Sequence, residues 1–308
     1  MIDLLVVGDA NPDVVLSGVP SALPYGQREQ LVSSGALTLG GSAAITACGA
    51  ARLGLRTAFV GRVGDDAAGR FCLDALRSRG VDVTGCVVDP VAATGLTVVL
   101  AADGGDRAIL TAPGCLPLLG VDDVDPSLAA SARYVHVSSY FLQPRLAAGL
   151  PAWFATLRAG GVTTSLDTND DPSGRWDSGV AAALAQTDIF LPNEAEALAL
   201  TGFSDDLPAA ARSLADSSAG LVVVKRGSLG ALAWTAGGSV AVPGLPATPV
   251  DTVGAGDSFN AGFLAGQLGG ADVESSLRLA AACGALSTRA AGGTDAQPTL
   301  DEVSSAWN

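Results

Sequence analysis

The chain has 308 residues, 48% of them hydrophobic, and seventeen basic side chains against thirty-one acidic give a formal charge of −14. That length and apolar content suit one large α/β domain, and the acidic balance argues against nucleic acid or an anionic membrane surface as partner. Five cysteines, odd in number and without C-x-x-C spacing, read as reduced thiols of a cytoplasmic protein. The start lacks a basic leader, and the longest uncharged run, 227–250, is broken by Gly and Pro. Neither a signal peptide nor a membrane-spanning helix is expected.

The apolar run 4–7 predicts a first strand, followed by Gly8-Asp9-Ala10-Asn11-Pro12-Asp13. Polar residues at the C-terminal end of a strand line the ligand crevice of an open α/β sheet, although Asn and Asp also make ordinary turns. Residues 13–39 and 94–111 alternate as strands without an intervening helix, with Leu96, Val98 and Leu100 on one face and Asp103-Gly104-Gly105 at the turn. They read equally as a small antiparallel sheet projecting from the domain or as two surface hairpins. Gly40 and Gly41 open a predicted helix over 42–53, where they admit a ligand close to the backbone or simply make a turn. Strands at 58–61, 134–137, 162–166, 189–191 and 221–224 alternate with helices at 67–79, 145–159, 177–186, 193–201 and 207–217. This rhythm predicts a three-layer, doubly wound α/β sandwich with a mostly parallel sheet.

Arg107 and Gln143 are further candidate ligand contacts. His136, the only histidine, lies in an apolar strand and reads as structural, which leaves no Ser-His or Cys-His nucleophile. Pro192-Asn193-Glu194-Ala195-Glu196 starts a helix, where acidic residues offset the dipole. Lys225, the only lysine, opens the glycine turn Lys225-Arg226-Gly227-Ser228-Leu229-Gly230. Because Arg226 follows it, a P-loop G-K-[ST] cannot occur. The H-R-D and D-F-G elements of protein kinases are absent, as is a G-x-G-x-x-G first turn.

The most informative string is Asp251-Thr252-Val253-Gly254-Ala255-Gly256-Asp257-Ser258-Phe259-Asn260, just before a predicted helix over 258–267. Its glycines bare backbone N–H groups to an anion, and the helix start adds partial positive charge. Asp257 stands where a carboxylate can take a proton from an attacking hydroxyl. In isolation G-A-G-D also serves as a plain helix cap.

The whole string, completed by Gly262, resembles the C-terminal motif D-T-x-G-A-G-D-x-F-x-A-G of the ribokinase-like (PfkB-type) carbohydrate kinases. The resemblance implies that Asp257 is the base and that the amides of Gly254, Ala255 and Gly256 form an anion hole. Gly40 and Gly41 resemble the family's N-terminal G-G-x-x-x-N-x-A motif, with Ile45 where the family has Asn. Asn11 and Asp13 match its G-x-x-N-x-D, whose polar residues contact acceptor hydroxyls. Asn193 and Glu196 match N-x-x-E, associated with placing Mg²⁺ and phosphate, with Glu196 acting through water. Lys225, Gly227 and Gly230 resemble the nucleotide loop. Asp251, the Val253 carbonyl and the segment 287–293 resemble the site of a monovalent cation. The implied protein is an ATP-dependent kinase of a sugar or sugar derivative, using Mg²⁺ and K⁺. Its β lid at 13–39 and 94–111 covers the acceptor, and the family often dimerises through it. The alternatives are a nucleoside kinase, which an apolar Ile45 would suit, and a catalytically silent ligand-binding relative.

Overall fold

Strand β1 (Ile2–Val7) runs into β2 (Asn11–Ser17) and β3 (Ser34–Gly40), and helix α1 (Ser42–Arg52) returns the chain to β4 (Thr57–Val60). The computed structural model describes residues 2–102, 107–217, 220–235 and 237–306; the turn expected at Asp103-Gly104-Gly105 falls outside them. Next come β5 (Arg62–Gly64), α2 (Ala67–Ser78), β6 (Val87–Asp89), β7 (Leu96–Ala101) and β8 (Arg107–Ala112). The centre alternates α3 (Pro126–Ser131), β9 (Ala132–Ser138), α4 (Pro144–Ala159), β10 (Thr163–Asp167) and α5 (Val180–Leu184). It continues with β11 (Ile189–Phe190), α6 (Glu194–Thr201), α7 (Leu207–Ser217) and β12 (Leu221–Lys225). The pair β13 (Ala231–Thr235) and β14 (Gly238–Val242) precedes α8 (Ala255–Leu268), α9 (Val273–Ser287) and α10 (Leu300–Ala306).

The main sheet has eight strands in the order β14-β13-β12-β11-β10-β9-β1-β4. All neighbours from β12 to β4 are parallel, and the edge strands β13 and β14 are antiparallel. Alternation along β1 sends Leu4 and Val6 into one apolar layer and Leu5 and Val7 into the other. Helices α1, α2, α8 and α9 close the first layer; α4, α5 and α7 close the second. This is the expected three-layer, mostly parallel sandwich.

The second sheet has the order β3-β2-β7-β8. It differs from the expectation in one pairing, since β2 and β7 are parallel. Both strands run away from the main sheet, from Asp13↔Thr97 outward to Ser17↔Ala101, so they enter it in the same sense.

Helix α8 carries the glycine string and is buried on nearly every side. Its small residues allow close packing on α9: a methyl at Gly262 would lie 2.9 Å from Ala280 Cα and from Cys283 Sγ. Gly262→Ala should therefore destabilise the fold by about 1–3 kcal/mol, although alanine is the better helix former. Urea unfolding of the two chains checks this; equal midpoints would mean that α8 and α9 can separate without cost.

Candidate active site

The glycine turn before α8 is built by its conformation. Gly254 is the left-handed N-cap of α8 (φ 71°), a region that side chains enter at a cost. A Cβ there would also lie 2.6 Å from Gly293 Cα. Asp251 clasps the turn: Oδ1 accepts from Val253 N at 3.0 Å and Oδ2 from Gly292 N at 2.9 Å. Ala255 N–H turns back to Thr252 O at 3.3 Å. The N–H groups of Gly256 and Asp257, in the first turn of α8, have no intrahelical acceptor available and face outward from the helix start.

Asp257 is buried at 7% exposure. Burial pushes its carboxyl well above the usual carboxylate range; Asp167 and Asp9 add to the shift, and the Lys225 ammonium and Ser42 oppose it. Lys225, at the end of β12, donates to Asp167 Oδ2 and to Asn260 Oδ1, the latter at 3.3 Å. Burial disfavours this ammonium, but Asp167 and Glu196 outweigh it and raise its pKa.

Asp9 caps α1 from outside the helix, accepting from Ser42 N at 3.1 Å and Ala43 N at 3.0 Å. Asn11 Nδ2 donates to Asp13 Oδ1 at 2.7 Å and to Thr97 Oγ1 at 3.1 Å, joining β2 to β7. Burial and the neighbouring Asp9 raise Asp13 to about 7. Gly40 and Gly41 make room for these carboxylate-bearing segments. A Cβ on Gly40 would sit 2.1 Å from Asp13 Oδ1, and one on Gly41 2.6 Å from Asp9 O.

A cleft of about 840 Å³ joins the glycine turn to the nucleotide-loop candidates. Asn193, Glu196, Lys225, Gly227, Gly230, Gly256, Asp257 and Arg107 all line it. Asn193 and Glu196 form a reciprocal capping box, with Glu196 N donating to Asn193 Oδ1 at 2.9 Å and Asn193 N to Glu196 Oε2 at 2.8 Å. Burial, then Asp167, raises Glu196 to about 7. Arg107, at the start of β8, brings Nη1 to 3.9 Å from Asp251 Oδ1.

Gln143 is not at the cleft surface. It is fully buried and donates through Nε2 to Ser138 O (2.8 Å) and Ser139 O (3.1 Å), bracing the bend after β9. Ile45 is 3% exposed, and its side chain fills the space beside Gly254 and Gly293. The departure at this position thus packs the glycine turn. His136 is fully buried between Ser165 and Ser138, both at 2.9 Å, and burial pushes it down to about 4. Three further residues of the candidate site carry no individual signal in the sequence: Asp167, Asn169 and Asn260. Asn169 donates to Ser42 Oγ at 2.8 Å and lines the cleft. Asp167 and Asn169 follow the strand predicted at 162–166, and position at a strand's C-terminal end is the clue that could have found them.

The profile of the pfkB family carbohydrate kinases matches residues 1–300. An ATP-dependent ribose-1-phosphate kinase of Halopiger xanaduensis is 35% identical over 98% of this chain and 97% of its own. A Klebsiella pneumoniae fructokinase is 34% identical, with 97% of each chain covered. The solved Arabidopsis thaliana ribokinase complexed with ribose and ATP has a TM-score of 0.85 at 27% identity, over 99% of this chain and 98% of that one. Fold and cleft together define a ribokinase-fold phosphotransferase. The chain belongs to the pfkB family of carbohydrate kinases.

Proposed function

We propose that this kinase transfers the γ-phosphoryl group of ATP to a hydroxymethyl group of a sugar or sugar derivative, with Asp257 as general base. The observation that carries the reading is a buried carboxylate in the first turn of α8, beside N–H groups that an anion can reach. Asp257 takes the hydroxyl proton, and the freed oxygen attacks the γ-phosphorus in line. The Gly254-Ala255-Gly256 turn supplies backbone dipoles where charge develops. Carboxylate and carboxamide oxygens accept hydrogen bonds from polyols, so Asn11 and Asp13 hold acceptor hydroxyls beside Gly40 and Gly41. Arg107 closes the rim from the lid, and Gln143 acts through the bend it braces. Asn193, Gly227 and Gly230 receive the nucleotide, with Lys225 at its phosphate end. The unit is the whole chain, 1–308, with the lid at 13–39 and 94–111 excluding water when it closes.

Mg²⁺ fits the donor set. The described residues contain no group of three His, Cys, Asp or Glu side chains that would form a dedicated cage. Glu196 offers hard carboxylate oxygens at the cleft wall, which suits an ion that keeps waters and phosphate oxygens. When bound, Mg²⁺ neutralises phosphate charge, and Glu196 would hold it through water. A monovalent cation, K⁺, is assigned to Asp251 and the Val253 carbonyl. The exposed Leu37, Ile109 and Leu110 on the small sheet support a homodimer through the lid. The free thiols suit a reducing cytoplasm.

The test is ADP release with Mg-ATP across ribose, ribose 1-phosphate, fructose, sugar acids and nucleosides, in K⁺ and in Na⁺ buffer. One sugar-dependent signal that is faster in K⁺ is the expected result. A nucleoside-dependent signal would move the assignment to a nucleoside kinase, and equal rates in the two buffers would remove the cation. ATP binding without turnover on any acceptor would point to a silent binder.

A further inference from the structure

The single lysine of this chain is placed with unusual care. Arginine fills every other basic position, yet the residue that lines the cleft with Glu196 and Asp257 is Lys225. Its side chain is 11% exposed, and that of its partner Asp167 is fully buried. Asn260, on α8, donates to the same Asp167 oxygen that receives Lys225 and accepts from the lysine through Oδ1. The three side chains come from β10, β12 and α8 and close on one another. A Cβ on Gly256 would lie 3.7 Å from Lys225 Nζ, so the ammonium sits against the open start of α8. An ammonium has three donors. Asp167 and Asn260 take two, which leaves one for a ligand in the cleft that Lys225 lines.

We propose that Lys225 is a catalytic residue that touches the phosphoryl group in transfer, and that Asp167 and Asn260 are positioning residues that aim it there. The inference rests on the kinase reading above. A compact ammonium fits the space between Asp167 and the Gly256 backbone, whereas a planar guanidinium is longer and broader. Two of the lysine's donors are held by Asp167 and Asn260, which leaves Asp257 for the acceptor. No proton moves between the three groups in this role: the ammonium stays charged and stabilises charge that grows on the phosphoryl oxygens.

The experiment compares Lys225→Met, Lys225→Arg, Asp167→Ala and Asp167→Asn with Asp257→Asn run alongside, using Mg-ATP and the best acceptor. Lys225→Met and Asp167→Ala should each lower kcat by about 100-fold, with the KM for ATP changed by less than about 3-fold. Lys225→Arg should be nearly as impaired as Lys225→Met despite its charge. Asp167→Asn keeps an acceptor oxygen and should recover most of the loss. The charged groups facing Asp257 are Asp167, Lys225 and Asp9. Removing Asp167 should therefore shift the acid limb of kcat/KM to lower pH, and removing Lys225 should shift it to higher pH. A purely structural contact would not move the limb in opposite directions. A raised KM for ATP with kcat intact in Lys225→Met would reduce the lysine to nucleotide anchoring and overturn the proposal. So would Asp167→Ala with native kcat. Near-native turnover in Asp257→Asn would sink the base assignment instead, independently of the lysine variants.

Discussion

Replacing Asp257 with asparagine is expected to lower kcat by about 10²–10⁴-fold, the usual contribution of a positioned general base. Asparagine has the same shape and keeps an oxygen for the Ser42 contact, so the affinity for ATP should stay near that of the native chain. The fold should gain stability at neutral and higher pH. Burial and Asp167 disfavour the charged carboxylate in the folded chain, and the amide removes that cost. Loss of activity with gain of stability is the signature of a strained functional group, not of a damaged core. In the native enzyme the base must be ionised. The acid limb of kcat/KM should therefore lie above the usual carboxylate range and vanish in the variant. Turnover kinetics, ATP titration and urea unfolding of the two chains check all three statements. Near-normal turnover in Asp257→Asn contradicts the assignment.

Gly254→Ala is expected to be nearly as damaging by a different route. A side chain at φ 71° enters the left-handed region, and its Cβ would collide with Gly293 Cα at 2.6 Å. Both partners are backbone, so relief requires the catalytic turn or the 288–293 segment to move. Strain and overpacking together should cost about 2–4 kcal/mol of stability. The surviving folded protein would present displaced amides, and kcat should fall by about 100-fold, as when one oxyanion donor is lost. Thermal unfolding separates the two effects from each other. A stable variant with native kcat would show that the turn does not depend on the left-handed cap.

Much of this architecture was legible because the parallel strands are short apolar runs with helices between them. The strand predicted at 4–7 is the core of Ile2–Val7, and the helix predicted at 207–217 is Leu207–Ser217. The start of α8 was misplaced for a local reason. A glycine-rich string reads as loop, but Gly254 in the left-handed region lets the helix begin at Ala255, not Ser258. The pair β13 and β14 went unread because it lies in the uncharged, Gly- and Pro-rich run 227–250, which lacks clear alternation. Helix α9 went unread because it is alanine-rich and has little amphipathic contrast. At the site, contacts within one turn were legible from motif spacing: the Asp251–Gly254 turn that leads into Asp257, or the Asn193–Glu196 box. The Lys225–Asp167 pair was not. Its partners are 58 residues apart, and only the β10–β11–β12 order brings their strand ends together. The packing of Ile45 is equally non-local, since its neighbours Gly254 and Gly293 come from the far end of the chain.

The most direct test follows the phosphorus itself. With Mg-ATP and the acceptor that gives the strongest ADP signal, ³¹P NMR should show a new sugar phosphomonoester growing in step with ADP, one for one, and absent in Asp257→Asn. ADP accompanied only by inorganic phosphate, or a phosphomonoester formed equally well by Asp257→Asn, would contradict base-assisted phosphoryl transfer to a sugar hydroxyl.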